Sequence, residues 1–395
     1  MKTATFINNK LEQLDRDLTA SANEQSRLAL LTGNSGLALF YYHMYHHFGD
    51  EQYRNRAAAI LEEAMEEINK GIRSYTYCDG LAGYAYLLNY LQQKDFIDNS
   101  ITDFLIQCDE ILYSVFGRMQ LKSNTDLLHG SLGLAAYFLD RYQSGAVALS
   151  SIREIGEAIR LSLDKVVHDR QAPQEEVYVN CGMAHGIVSM ILFLVKYHPL
   201  ADNQDAVSAS LKAGVDCLLQ FKSTDPASIS LYPSIVKVNA VGIDTTYNIP
   251  LGWCYGDIIV SIGLYRAGSL LQDNDLLREA ECLALAAAKR NTPRTALVHD
   301  ACLCHGGAGL AHMYKKWYRF TGNEIFNASY HLWMDKTLEL SNHPDGIGGF
   351  KKYNGGPFVQ MAGILDGAAG MGLVLMDYLQ GDQEDNDWDR VLFLA

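Results

Sequence analysis

The sequence predicts an all-α protein, an α/α toroid in which seven inner helices alternate with seven outer helices. The first observation is a short glycine-containing turn, followed by an apolar, aromatic-rich stretch, that recurs seven times along the chain. The second is that amphipathic stretches lie between the recurrences, whereas strand signals are sparse. Because a closed ring needs no capping repeats, we expect residues 1–395 to form one domain. The first glycines of the seven turns are Gly33, Gly80, Gly130, Gly186, Gly256, Gly306 and Gly367.

Two kinds of helix are expected in each repeat. The glycine-led stretches are apolar on nearly all faces, as buried inner helices should be, whereas residues 51–70 and 275–290 carry apolar side chains at helical spacing and a polar opposite face. Glycine-rich helix starts also occur in ordinary helical bundles, which is the alternative to a toroid. Residues 228–250 contain β-branched residues, Pro and Gly, and we expect a small β-hairpin insertion there. The glycine-rich stretch 343–358 predicts a long loop that could act as a lid.

Composition narrows the class of protein. With a formal charge of −14 and no basic stripe, the chain lacks the electrostatic signature of nucleic-acid binding. It has neither an apolar run of bilayer length nor a signal-peptide pattern at the N-terminus. Its eight cysteines are scattered, which favours reduced thiols or metal ligands over a disulfide framework. We therefore expect a cytoplasmic protein, with peripheral association with a membrane-bound complex as an alternative.

The residue directly before each first glycine is polar in every repeat, although core packing would favour apolar side chains there. Equivalent turns of a toroid converge around its axis, so these side chains predict an active site at one end of the ring. His129, Asp79 and Asp366 could belong to this site, or they could be hydrogen-bonded wall residues and helix caps. The seven residues are Thr32, Asp79, His129, His185, Tyr255, His305 and Asp366.

Cysteines stand one step earlier in three of these turns. Cys254 and Cys304 occupy equivalent positions in successive repeats, and His305 follows Cys304 directly. Two thiolates and one imidazole suit Zn²⁺, and three protein ligands leave a fourth position open for catalysis. The alternative is that these cysteines are small buried hydrophobic residues. Cys181, Cys302 and Cys78 fit a zinc site less well, and we interpret them as buried thiols.

Three motifs in this order, NCGMAHG (180–186), WCYG (253–256) and CHG (304–306), resemble the lanthionine synthetase C-like family. The resemblance implies an α/α toroid and one zinc ion per chain, bound by Cys254, Cys304 and His305. It also implies that His185 is the catalytic histidine, that Asp126 of DLLHG is a catalytic aspartate, and that Tyr255 lines the site. Pro250 departs from the pattern, because some family cyclases carry an arginine at that position.

The activity implied by the resemblance is lanthipeptide cyclisation. Cys thiolates of a precursor peptide would add to dehydroalanine or dehydrobutyrine and form (methyl)lanthionine thioether rings. Because the sequence starts at Met1 and contains no large dehydratase region, we expect a stand-alone cyclase with a separate dehydratase and an exporter as partners. Three alternatives remain open: addition of glutathione to dehydroamino acids in proteins, a non-catalytic peptide-binding scaffold, and a glycosidase with Asp79 and Asp366 as its paired carboxylates.

Overall fold

The computed structural model describes residues 4–20, 26–171, 176–240, 242–381 and 387–395. Within these ranges it contains fifteen α-helices and five short strands. The helices are α1 (Ala4–Ala20), α2 (Ser35–Phe48), α3 (Glu51–Asn69), α4 (Leu81–Gln93), α5 (Thr102–Leu121), α6 (Ser131–Gln143), α7 (Leu149–Gln171), α8 (Ile187–Tyr197), α9 (Gln204–Leu219), α10 (Asp257–Leu271), α11 (Asn274–Ala288), α12 (Pro293–Ala296), α13 (Gly307–Thr321), α14 (Glu324–Glu339) and α15 (Ala368–Gln380). The strands are β1 (Val177–Asn180), β2 (Ile235–Asn239), β3 (Gly242–Asp244), β4 (Lys352–Tyr353) and β5 (Phe358–Val359).

The chain divides into two compact units. The first comprises Met1–Leu112 and Val298–Ala395, and the second comprises Tyr113–Leu297. The first unit contains α1 to α4 and α13 to α15, and the second contains α6 to α12. None of the helices within the described ranges combines the length and the apolar character that crossing a bilayer requires.

The two predicted kinds of helix are both present. In α4 every residue from Leu81 to Leu91 is buried, although one face of a surface helix would be expected to be wet. In α3 only Tyr53, Ala57, Leu61 and Ala64 are buried, at spacings of three and four residues that define a single stripe. The glycine-led helices are therefore interior helices, and the helices that alternate with them cover their outer faces.

Four of the seven glycine-led turns share one hydrogen-bond pattern. Six of the seven first glycines directly precede their helices, and α2 is the exception because it begins two residues after Gly33. A Cβ atom at Gly306 would lie 2.3 Å from the backbone nitrogen of Cys302, so only glycine fits where the turn closes on itself. In four of the turns, the N–H after the first glycine donates to the carbonyl seven residues earlier: Leu81 to Ser74, Ser131 to Asn124, Gly307 to Asp300, and Ala368 to Met361.

The small strands agree in part with expectation. The hairpin expected within 228–250 is present, since β2 pairs antiparallel with β3. We did not expect β1, which joins the other edge of β2. In the glycine-rich stretch 343–358, β4 pairs with β5, so part of this loop is ordered as a hairpin.

The two ends of the chain both pack within the first unit. Helix α1 packs against α15, the helix of the last repeat. After α15, residues 387–395 run back over the unit, where Trp388, Val391 and Leu392 are buried. The phenolic hydroxyl of Tyr77 donates a hydrogen bond to the carbonyl of Val391 (3.0 Å).

Candidate active site

In the first unit, backbone hydrogen bonds join equivalent residues of four turns. The N–H of Cys304 donates to the carbonyl of Leu365 (2.9 Å), that of Leu365 to Leu31 (2.8 Å), and that of Leu31 to Cys78 (3.0 Å). Each of these residues stands two positions before the first glycine of its turn. The turns are therefore in register, as the repeat analysis predicts. The polar residues that follow them directly are Thr32, Asp79, His305 and Asp366.

In the second unit, three turns bring aromatic side chains of the predicted site together. The carbonyl of Cys254 accepts a hydrogen bond from the N–H of Met183 (2.9 Å), which places the turn before α8 against the turn before α10. The ring of His185 lies 6.3 Å from the ring of Tyr255 and 6.3 Å from the ring of His129, measured between centroids. His185 therefore lies between the other two aromatic residues.

Asp126 is the hydrogen-bond partner of His185. One carboxylate oxygen of Asp126 accepts a short hydrogen bond from Nδ1 of His185, and the other accepts from the backbone N–H of His129 (2.7 Å). Asp126 is not the cap of α6, because Gly130 holds that position. The side chains of His185 and Asp126 are 35% and 21% exposed, so a substrate can reach the pair from solvent.

The pair perturbs both pKa values. The hydrogen bond to Asp126 raises the pKa of His185, against the effect of burial, and Cys254 adds a smaller contribution in the same direction. Burial acts to raise the pKa of Asp126, but hydrogen bonds from His185 and from the His129 backbone outweigh it and lower that pKa. The arrangement therefore favours an imidazolium whose Nδ1–H is fixed by a carboxylate and whose Nε2–H can deliver a proton.

The predicted metal ligands lie in the turns before α10 and α13. Cys254, in the second unit, is 8% exposed, and Cys304, in the first unit, is 9% exposed. His305 is half-buried and directly follows Cys304. The ligand set predicted from the sequence thus takes one thiol from the second unit and one thiol and one imidazole from the first. Two thiols and an imidazole are donors that fit Zn²⁺ better than they fit Mg²⁺ or Ca²⁺, which prefer oxygen ligands.

A second candidate set lies wholly within the first unit. The ligand atoms of Asp300, Cys302 and His305 lie within 4.8 Å of one another. Both carboxylate oxygens of Asp300 already accept backbone hydrogen bonds, from Cys302 (2.9 Å) and from Tyr353 (2.7 Å). Burial, together with the nearby carboxylates of Asp300 and Asp366, raises the pKa of the Cys302 thiol well above its usual value. Because both oxygens of Asp300 are already engaged by backbone N–H groups, this set is the less suitable of the two.

Pro250 lies beside the turn that carries Cys254 and Tyr255. Its carbonyl oxygen would be only 2.3 Å from a Cβ atom at Gly256, which has φ +92°. A guanidinium does approach this loop, but Arg290 is buried and bonds to the carbonyl of Ile249 (2.7 Å) and the carboxylate of Asp257 (3.2 Å). Arg290 therefore supports the loop instead of replacing the missing arginine. Nothing in the sequence pattern indicated this role, because Arg290 follows an ordinary amphipathic helix.

Comparison with known proteins agrees with this description. The family model described as lanthionine synthetase C-like protein matches residues 24–393. Among solved structures, nisin cyclase superimposes with a TM-score of 0.74 at 15% sequence identity, over 99% of this chain and 98% of that one. Among curated proteins, glutathione S-transferase LANCL1 of Danio rerio is 25% identical over 311 residues, which are 73% of this chain and 69% of the relative. The structural likeness confirms the predicted all-α toroid fold. The chain belongs to the lanthionine synthetase C-like family.

Proposed function

We propose that this protein is a zinc-dependent lanthipeptide cyclase. Its substrate would be a dehydrated ribosomal precursor peptide, whose Cys thiolates add to dehydroalanine or dehydrobutyrine and form (methyl)lanthionine rings. The observation that carries the proposal is the Asp126–His185 pair beside the turn of Cys254. Addition of a thiol to an activated double bond needs a proton donor close to the bound thiolate. Here the proton donor lies next to a candidate ligand of the metal that would bind that thiolate. Membership of the family supports the same reaction class.

We propose further that Cys254, Cys304 and His305 hold one Zn²⁺ per chain. When bound, the ion would accept a substrate thiol as its fourth ligand and keep it deprotonated. Two cysteine thiolates and a neutral imidazole cancel the charge of the ion, so the protein's ligands favour a reactive thiolate. The two cysteines are buried thiols in equivalent turns, and this donor chemistry supports the assignment.

The remaining steps belong to the second unit's own side chains. Attack of the sulfur on Cβ forms the C–S bond and moves the π electrons toward the neighbouring carbonyl, which leaves an enolate. Nε2 of His185 then donates a proton to Cα and restores the carbonyl. Asp126 holds the ring in the orientation that points Nε2 away from the carboxylate, and it stabilises the imidazolium before transfer. Tyr255 lies beside His185 and lines the site.

A synthetic peptide that carries one Cys and one dehydroalanine tests the proposal. Cyclisation leaves the mass unchanged, so the measurement is loss of the alkylatable thiol, read by mass spectrometry after iodoacetamide treatment. The same peptide with Ala in place of dehydroalanine is the matched control, because it keeps the thiol but lacks the acceptor. We expect thiol loss with the zinc-loaded protein only. An unchanged thiol after prolonged incubation would show that the protein is not a cyclase of this kind.

Addition of glutathione is a second candidate function, and one observation favours it. The Danio rerio relative is itself named a glutathione S-transferase, and it aligns with 73% of this chain. Two assays run side by side distinguish the two candidates: the Cys-dehydroalanine peptide reports ring formation, and a Cys-free dehydroalanine peptide offered together with glutathione reports adduct formation. A glutathione adduct without ring formation would favour the transferase, and ring formation without an adduct would favour the cyclase.

For the cyclase, a separate dehydratase would supply the dehydrated residues and an exporter would remove the product. Two observations test that expectation: whether genes for a dehydratase and an exporter lie next to the gene for this chain, and whether those two proteins co-purify with it.

A further inference from the structure

The hairpin of β4 and β5 places a lysine at the polar residue of the seventh turn. Nζ of Lys352, on β4, lies 2.6 Å from Oδ2 of Asp366. Asp366 directly precedes Gly367, so it is the seventh-repeat equivalent of His305. The preceding residue, Leu365, accepts the backbone hydrogen bond of Cys304 (2.9 Å). The ammonium therefore lies at the turn adjacent to the one that carries the candidate metal ligands of the first unit.

The turn that presents Cys304 also fixes this strand. Asp300 is only 3% exposed, and its two carboxylate oxygens accept from the N–H of Cys302 (2.9 Å) and from the N–H of Tyr353 (2.7 Å). The ring of Tyr353 stacks on that of His299, with centroids 4.5 Å apart. Because one buried carboxylate joins the two segments, the lysine is held in place before any substrate arrives.

Lys352 is positively charged, and its ammonium still has N–H groups that can donate hydrogen bonds to a ligand. Burial acts to lower its pKa, but the hydrogen bond to Asp366 and the charge of that carboxylate, with smaller contributions from Cys302 and Cys304, together outweigh burial and raise the pKa. An ammonium has three donors, and the bond to Asp366 occupies one of them. Its side chain is 22% exposed, so a ligand can reach the other two. The adjacent Lys351 differs, because its partner Asp345 is 72% exposed and lies at the outer surface of the loop.

We propose that Lys352 is a catalytic residue whose ammonium donates a hydrogen bond to the acceptor carbonyl as it becomes the enolate oxygen. This inference rests on the proposed thiol addition. Lys352 keeps its proton throughout: sulfur bonds to Cβ, the electron pair of the double bond moves onto the carbonyl oxygen, and a separate general acid then supplies the proton to Cα. The lysine acts only by stabilising the negative oxygen between these two events.

Three variants test the role: Lys352→Met, Lys352→Arg and, as a matched control from the same strand, Lys351→Met. Loss of one donor to an oxyanion lowers kcat about 10²–10³-fold, and we expect a fall of about 10²-fold for Lys352→Met with KM changed little. Lys352→Arg should recover most of the rate because it keeps the positive charge, and Lys351→Met should stay within about twofold of the wild type. The probes are the Cys-dehydroalanine peptide and the Cys-free peptide with glutathione, since both additions pass through the same enolate.

Zinc content and thermal unfolding of each variant separate chemistry from structure. Full zinc and an unchanged Tm in Lys352→Met, with the loss of kcat, support the catalytic role. A wild-type rate in Lys352→Met, or loss of zinc together with the rate, overturns it and leaves the proposed function standing. If the zinc-loaded wild type uses neither thiol donor, both the cyclase and the role of Lys352 are wrong.

Discussion

The proposed reaction uses two groups of residues with separate roles: three candidate metal ligands and one proton donor. In the proposed function Cys254, Cys304 and His305 would hold the zinc, whereas His185 makes its hydrogen bond to a carboxylate. A histidine whose Nδ1 is bonded to an aspartate has a raised pKa and a fixed orientation, both of which suit proton transfer. The two roles can be separated by single substitutions.

Zinc binding should depend on three side chains only. We expect about one equivalent of zinc in the wild type and large losses in Cys254→Ala, Cys304→Ala and His305→Ala, because each removes one of three protein ligands. Elemental analysis of purified, dialysed protein measures this. Cys302→Ala and Cys181→Ala are the controls and should retain zinc, since neither thiol belongs to the proposed set. Zinc loss confined to these controls would contradict the assignment.

His185→Ala should separate metal binding from catalysis. The variant should hold a full equivalent of zinc but cyclise the peptide about 10²–10⁴-fold more slowly, the usual contribution of general acid catalysis. In heavy water the wild type should incorporate one deuterium per ring at Cα, which mass spectrometry detects. His129→Ala, in the neighbouring turn, is the matched control. Loss of zinc in His185→Ala would make this residue a ligand, contrary to the proposal.

The pH profile should report the Asp126–His185 pair. Because the acid form of His185 is required, kcat should be highest at low pH and fall as the pH rises through the pKa of His185, which lies above its usual 6.5. Asp126→Asn removes the largest cause of that upward shift, so the alkaline limb should move to lower pH. Rates measured between pH 5 and about 9 on both proteins check this. An unmoved limb would assign it to another group.

At the scale of elements, the C-terminal segment is held by a buried ionic cluster in the first unit. His312, on α13, contacts Asp389 through Nε2 (2.9 Å) and Asp377 of α15 through Nδ1 (3.4 Å). Lys316 lies 2.5 Å from Asp389, and Lys315 lies 3.0 Å from Asp377. Opposite charges therefore tie the segment that contains Asp389 to two interior helices.

Asp389→Asn should destabilise the protein by about 3–5 kcal/mol, because it removes the buried negative charge that lies 2.5 Å from the Lys316 ammonium. Hydrogen bonds to Asp377 and Asp389 raise the pKa of His312 despite burial. A raised pKa contributes stability that is complete below the unfolded value of about 6.5 and is lost as the pH rises through the folded value. The free energy of unfolding, measured with urea, should therefore differ less between variant and wild type at alkaline pH than at low pH.

The control for this cluster is a surface ion pair. Asp202 is 74% exposed and lies 2.7 Å from Arg153, so Asp202→Asn should cost less than about 1 kcal/mol. Equal effects of the two substitutions would mean that the cluster around Asp389 does not hold the C-terminal segment.

Local pattern accounts for the elements that the sequence predicted correctly. A glycine-led turn is specified within a few residues, since the N–H after the glycine bonds seven positions back and Gly306 meets the backbone of Cys302. The stripe of α3 likewise follows from helical periodicity alone. Strand β1 was missed because its four residues acquire strand character only by pairing with β2, more than fifty residues later.

At the scale of the whole molecule, the family model covers residues 24–393 and the fold matches that of nisin cyclase. The fold does not by itself specify a thiol donor, and the curated relatives include a protein named a glutathione S-transferase. Function is therefore decided by the side chains at the turns and by the thiol that the protein accepts, not by the helical scaffold. Whether residues 1–395 behave as one domain stays a prediction.

The sequence by itself determined the repeat, the helical class and the polar identity of the turn residues, because glycine requirements and apolar periodicity are local properties. It also supplied the thiols and imidazoles from which a zinc site can be inferred. Only the tertiary structure decided which partners these side chains have. Asp126 meets His185 across 59 positions of the chain, and Lys352 meets Asp366 because a buried aspartate anchors its strand. Such pairings depend on how the turns pack, and packing joins residues that no local spacing relates.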